Sequence, residues 1–344
     1  MTPYTAYSRF TDPGAKATLL QALPEDATAL AEVAERQTIH HNLMGRFGLD
    51  FETTRRMRRV WPPRMPAMLA ALEEMPPGNL LDDREPRHRI VGACMLEAHF
   101  LAGLLRTKGI PARIRAGYFQ GIRANAEHIV RFWRGALRAR AGDDELLRTD
   151  PARWESELDA LSRHNNEIDH HIEHWICEVP DGAGKWQLLD ANRSFLKAHS
   201  DLDVGFRLPA AHFEHAWVAW QEMRASGDDY VPDRHAEEPQ DGRSHIRSQL
   251  LSDFASQLNH DLVGIDEPEA ETAAFVRGQT YDATSEAELS DLDDLAALMS
   301  SDPIADELIA FYDGHERLRM GGVEADRYGF VFRRPALPMK RSDR

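Results

Sequence analysis

The chain has 344 residues, enough for one large domain or two ordinary ones, and 42% hydrophobic side chains, enough for a well-buried core. Its 57 acidic against 41 basic side chains give a formal charge of −16, which argues against a nucleic-acid partner, because neutralising phosphates requires a basic face. Two cysteines are too few for a disulfide framework, and no basic leader or long uncharged apolar run marks a signal or a membrane span, so the reading is a cytoplasmic protein with no membrane partner.

The first 77 residues read as a helical region, clearest at 27–37 and 65–75, with breaks at Pro62-Pro63 and Pro76-Pro77. No catalytic grouping appears there. His40 and His41 follow the first of these helices and read as surface or capping histidines rather than ligands.

From Ile90 the character changes. Met95, Ala98, Leu101, Ala102 and Leu105 recur at helical spacing, which predicts a helix from Cys94 to Arg106 packed by one face and closed by Lys108-Gly109 and Pro111. Ala112, Ile114, Ala116 and Tyr118 then alternate with Arg113, Arg115 and Gly117, the period of a half-buried strand. Arg113 and Arg115 fall on its polar face, either solvated or available to an acidic group on a substrate. Residues from about 121 to 169 read as a polar, mainly helical insertion, with helices predicted at 131–140 and 154–163 and a cluster of Arg123, Arg131, Arg134, Arg138 and Arg140.

A hairpin follows: His174 to Val179 is rich in strand formers, Pro180 to Gly184 is a turn, and Lys185 to Asp190 returns. Strand alternation puts His174, Ile176 and Glu178 on one face and Trp175, Cys177 and Val179 on the other, so Cys177 points away from His174 and reads as a packed thiol. Beyond about 205 the pattern is helical and acidic, with helices predicted at 210–225, 244–259, 289–299 and 305–315. Thirteen Asp or Glu residues and one basic residue, Arg277, lie between Ile265 and Ala310. They read as solvated helix faces, or as a surface that meets the arginine cluster.

Cys94 opens its helix, where the partial positive charge of a helix N-terminus favours thiolate over thiol and lowers a pKa that is ordinarily about 8.5. A nucleophilic cysteine needs a base and a group that orients the base. His174 and Asp190, on the two arms of the hairpin, can be brought into contact by strand pairing. His164, His170, His171 and His174 also invite a metal reading, with His170 and His174 as an i, i+4 pair, but that pairing requires a helix where the residues favour a strand.

These blocks carry a resemblance. Gly92-Ala93-Cys94, the Leu104-Leu105-Arg106 to Gly109-Ile110-Pro111-Ala112-Arg113 segment, His174 to Val179 and Trp186 to Asp190 look like the transglutaminase-like superfamily, in particular its bacterial uncharacterised branch. The resemblance implies an α+β fold with a papain-like core, a nucleophile helix packed on an antiparallel sheet. It divides the chain into an N-terminal region at 1–77, a core at 78–204 and a helical region at 205–344. It implies Cys94 as nucleophile, His174 as base and Asp190 as its orienter. The chemistry is hydrolysis or acyl transfer on a peptide or small-molecule amide, or an ester, through a thioester intermediate and without metal or cofactor. His88 is a candidate second oxyanion donor or a plain surface histidine. The competing expectation is a catalytically inactive module of the same fold that binds a protein partner.

Overall fold

Residues 27–37 form α1 (Ala27–Gln37), opened by Asp26, whose carboxylate accepts the Ala29 N–H at 2.9 Å. The β-branched pair Thr38-Ile39 then turns the chain into β1 (Thr38–His40), which pairs in parallel with β2 (Ile90–Gly92) so that His40 lies opposite Gly92. Between them, α2 (Met65–Glu74) buries Met65, Met68, Leu69 and Leu72. The computed structural model in which these elements are seen describes residues 3–49, 53, 56–60, 64–120, 171–200, 202–235, 242–259 and 280–318. The expected insertion at 121–169, with its arginine cluster and two helices, lies outside the described residues, as do His164 and His170.

α3 (Cys94–Thr107) begins two residues after β2. The sequence predicts packing by one face, but residues all round it are buried, because α1 covers one side and the sheet the other. Its end is a Schellman motif: Gly109, at φ 71°, bonds the Arg106 carbonyl, and the Ile110 N–H bonds that of Leu105 at 3.0 Å.

The main sheet is antiparallel, in the order β6-β5-β4-β3-β7, built from β3 (Arg113–Phe119), β4 (Ile172–Pro180), β5 (Trp186–Leu189), β6 (Arg207–Leu208) and β7 (Phe213–His215). The predicted hairpin is the β4–β5 pair, in which Cys177 lies opposite Leu189. Its turn is tied by Asp181, whose Oδ1 accepts the Ala183 and Lys185 N–H groups at 2.9 Å. A short helix, α4 (Arg193–His199), leaves the end of β5.

The half-buried reading of β3 fails. Every residue of it is buried, including Arg113 and Arg115. The reason is an incomplete edge: β7 pairs only with Gly117 to Phe119, leaving the preceding part of β3 without a strand neighbour on that side. Helix α6 (Gly242–Gln257) takes that place, Asp253 accepting the Ala116 N–H at 3.0 Å and Gln257 donating to the Ile114 carbonyl at 2.9 Å. The same Asp253 holds Arg115 through two bonds of 2.9 and 2.8 Å, with Glu178 on its other side at 2.9 Å. Arg113 bonds Asp302 and lies over the Trp186 ring at 3.9 Å. Neither arginine is solvated or available to a substrate.

Around α6, α5 (Ala216–Ser226), α7 (Glu286–Ser300) and α8 (Ala305–Gly314) close a second core on Trp220, Phe254, Leu292 and Leu308. The acidic stretch is in part a set of ion pairs: Asp293 with Arg224, Glu288 with Arg247 and Asp291 with Arg317. A first core joins Leu30, Leu69 and Leu72 from before residue 77 to Leu101, Ile114, Trp175 and Leu189 beyond it. Among the described residues no helix is long and apolar enough to cross a membrane.

Candidate functional site

His174 is the third residue of β4, opposite Gly117 of β3, and Gly117 is flanked on its other side by His215 of β7. The glycine is required by space: a Cβ there would lie 2.4 Å from the Glu214 carbonyl oxygen and 2.8 Å from the Phe213 ring. Asp190 follows the last residue of β5, its N–H donating to the Phe206 carbonyl at 2.8 Å. The paired strands thereby bring His174 Nε2 to 2.5 Å from Asp190 Oδ2, both residues being at most 2% exposed. Oδ1 of the same carboxylate accepts the Asn192 N–H at 2.7 Å. Asp190 accepts a hydrogen bond from Nε2–H and leaves the Nδ1 lone pair of His174 as the basic one, a tautomer assigned from these bonds. Phe119 meets the imidazole edge-on at 5.9 Å and Phe195 lies parallel to it at 6.5 Å between centroids.

Cys94 is the first residue of α3, after Ala93 in extended conformation, and is 8% exposed. One turn along the same helix, Glu97 is also buried. Its carboxyl is pushed well above the usual range by burial and then by the negative charges of Asp190 and Glu35. Cys177 lies on the other strand face, donating Sγ–H to the Ala98 carbonyl at 3.3 Å, and burial raises its pKa.

Two residues read from sequence as surface or capping groups belong to this neighbourhood. His40 is buried in β1 beside Gly92, its ring 4.3 Å from that of Phe195, and His41 directs Nδ1 to the Gly92 carbonyl at 3.2 Å. Burial lowers the pKa of His41. No spacing signals this; only the β-branched Thr38-Ile39 before them hints at a strand. His88 ends a half-buried 3-10 turn, Pro86–His88. A cavity of about 350 Å³ is lined by Leu43, Arg46, Phe47, Arg193, Ser194 and Lys197. Arg193 is paired with Glu35 and Lys197 with Asp203.

The helical i, i+4 geometry on which the metal reading of His170 and His174 depends is not present at His174, which lies in a strand. Of the other candidates, His171 joins Glu214 and His235 in a separate buried cluster. Compared with protein-family models, with curated proteins and with solved structures, the chain finds no match.

Proposed function

We propose that this protein is a cysteine-dependent acyl-transfer enzyme with a papain-like, transglutaminase-like core, in which Cys94 is the nucleophile, His174 the base and Asp190 its orienter. The observation that carries the reading is the buried His174–Asp190 pair, formed across two strands of the sheet that α3 packs against. A histidine fixed in this tautomer and sheltered from water is what a thiol at a helix N-terminus needs.

In the reaction, His174 Nδ1 takes the thiol proton and the sulfur forms a bond to the carbonyl carbon of an amide or ester. N–H groups at the start of α3, which have no intrahelical partner, stabilise the resulting oxyanion. On collapse the bond to the leaving amine or alcohol breaks and His174 returns its proton to that group. Water or a second amine then attacks the thioester carbon and gives its proton to His174; the C–S bond breaks, and His174 returns the proton to the Cys94 sulfur.

The test is to offer the purified chain a mixture of acyl donors, with and without a carboxylate, and to map adducts by mass spectrometry. A mass increment on Cys94 that disappears in His174→Ala supports the assignment. Failure of every donor, together with iodoacetamide reactivity of Cys94 no faster than a model thiol and unchanged in His174→Ala, rejects it in favour of a non-catalytic binding module.

A further inference from the structure

His171, just before β4, Glu214 in β7 and His235 at the end of the 3-10 turn Pro232–His235 come from three separate segments, yet one ligand atom from each lies within 4.8 Å of the others. All three residues are at most 4% exposed. The backbone locks them together: Glu214 pairs with Tyr118 in the sheet, and the His171 N–H donates to the Arg234 carbonyl at 2.9 Å. Their hydrogen bonds are lopsided. His171 Nδ1 and His235 Nε2 both donate to Glu214 Oε2, the second at 3.1 Å, while Oε1 of the same buried carboxylate has no partner among the described residues.

We propose that His171, Glu214 and His235 form a binding site for a first-row divalent cation of borderline softness, such as Zn²⁺, separate from Cys94, His174 and Asp190. Two imidazoles and a carboxylate are the donor set such ions take, at about 2.0–2.2 Å. The ligand atoms are His171 Nδ1, His235 Nε2 and a Glu214 carboxylate oxygen. Glu214 supplies the negative charge, its carboxylate already accepting from both imidazoles.

Binding requires no net loss of protons, only that each imidazole move its proton to the other nitrogen. For His235 this is easy, because Tyr230 OH, 2.9 Å from Nδ1, changes from donor to acceptor. For His171 it conflicts with Arg234, whose guanidinium donates to Nε2 at 3.2 and 3.0 Å. Once Nε2 is protonated Arg234 has no acceptor there and must swing away. Arg234 thus competes with the cation, both by charge and by the tautomer it enforces. This inference does not depend on the acyl-transfer reading, although one of the ligands, His171, lies three residues before His174 in the chain.

The experiment uses the full, tag-free chain stripped with a chelator. Zn²⁺ is titrated calorimetrically, and Co²⁺ is titrated while its visible ligand-field bands are recorded. One ion per chain is expected. Glu214→Gln and His235→Gln should each lose more affinity than the roughly 10- to 100-fold that outer-shell changes cost, and Arg234→Ala should bind about 10-fold more tightly than wild type. Because Arg234→Ala keeps all three ligands, it guards against a ligand variant that merely fails to fold. Absence of stoichiometric binding in both wild type and Arg234→Ala, undiminished binding in a folded Glu214→Gln, or loss of binding after alkylation of Cys94 would each overturn the site.

Discussion

Asp190 cannot turn away from His174: one carboxylate oxygen lies 2.5 Å from His174 Nε2, the other accepts the Asn192 N–H at 2.7 Å, and the Asp190 N–H is itself bonded to Phe206. Asp190→Asn keeps the shape but offers an amide that can donate to Nε2, which moves the imidazole proton to Nδ1 and removes the base. The alkylation rate of Cys94 at neutral pH is expected to fall by about 10-fold or more with the circular dichroism spectrum retained. A rate within two-fold of wild type, measured with iodoacetamide, would remove Asp190 from the mechanism.

The two cysteines should behave differently. Cys177 is fully buried, bonded to the Ala98 carbonyl and raised in pKa by burial, so it reacts only when the sheet opens. Native alkylation followed by peptide mapping is expected to modify Cys94 and spare Cys177, and Cys177→Ala should leave the Cys94 rate unchanged at a stability cost of about 1 kcal/mol. Preferential labelling of Cys177 contradicts both assignments.

Local pattern made most of the secondary structure readable. The predicted helices at 27–37 and 65–75, the helix from Cys94 and the β4–β5 hairpin all reappear within about two residues. What was not legible depends on long-range partners. The arginines of β3 alternate as a solvated face would, and only the arrival of Asp253, from about 140 residues downstream, turns them inward. His40 became a site neighbour through a three-residue parallel ladder, too short to leave a period in the sequence. The His171–Glu214–His235 cluster has no motif spacing, because each member is delivered by a different segment.

Glu97 should make stability fall as pH rises. Its folded-state pKa lies well above the unfolded value of about 4.3, so the folded chain holds a proton that the unfolded chain releases over that interval. Its favourable contribution is complete below the unfolded pKa and is lost through the folded one. Glu97→Gln keeps the neutral shape without the titration. Its stability advantage over wild type in urea unfolding is expected to grow from pH 5 upward by as much as about 1.4 kcal/mol per unit. Parallel stability curves for the two proteins between pH 5 and 8 are the contrary result.

At Gly117 the prediction concerns space. Gly117→Ala places a Cβ 2.4 Å from the Glu214 carbonyl oxygen, a backbone atom that yields only if β7 moves. A cost of about 1–3 kcal/mol is expected, as for overpacking in cores, and β7 should lose amide-exchange protection before β4 does. Wild-type stability in this variant would mean that β7 is not held against β3 as described.

Asp253 carries two duties at once, pairing with Arg115 and accepting the Ala116 N–H on the open edge of β3. Burial opposes the charge of Arg115, yet Asp253 and Glu178 more than offset it and hold the guanidinium charged. Asp253→Ala therefore leaves an arginine with half its compensation and a buried N–H with none. One partner removed from a buried pair costs about 3–5 kcal/mol, and the orphaned N–H adds about 1–3 kcal/mol. The variant is expected to lose several kcal/mol in urea unfolding, or to separate α6 from the sheet. If α6 does separate, its amides should exchange faster while those of β4 and β5 remain protected. A loss below about 1 kcal/mol would show that α6 is held to β3 by apolar packing alone, with the ion pair contributing little net stability.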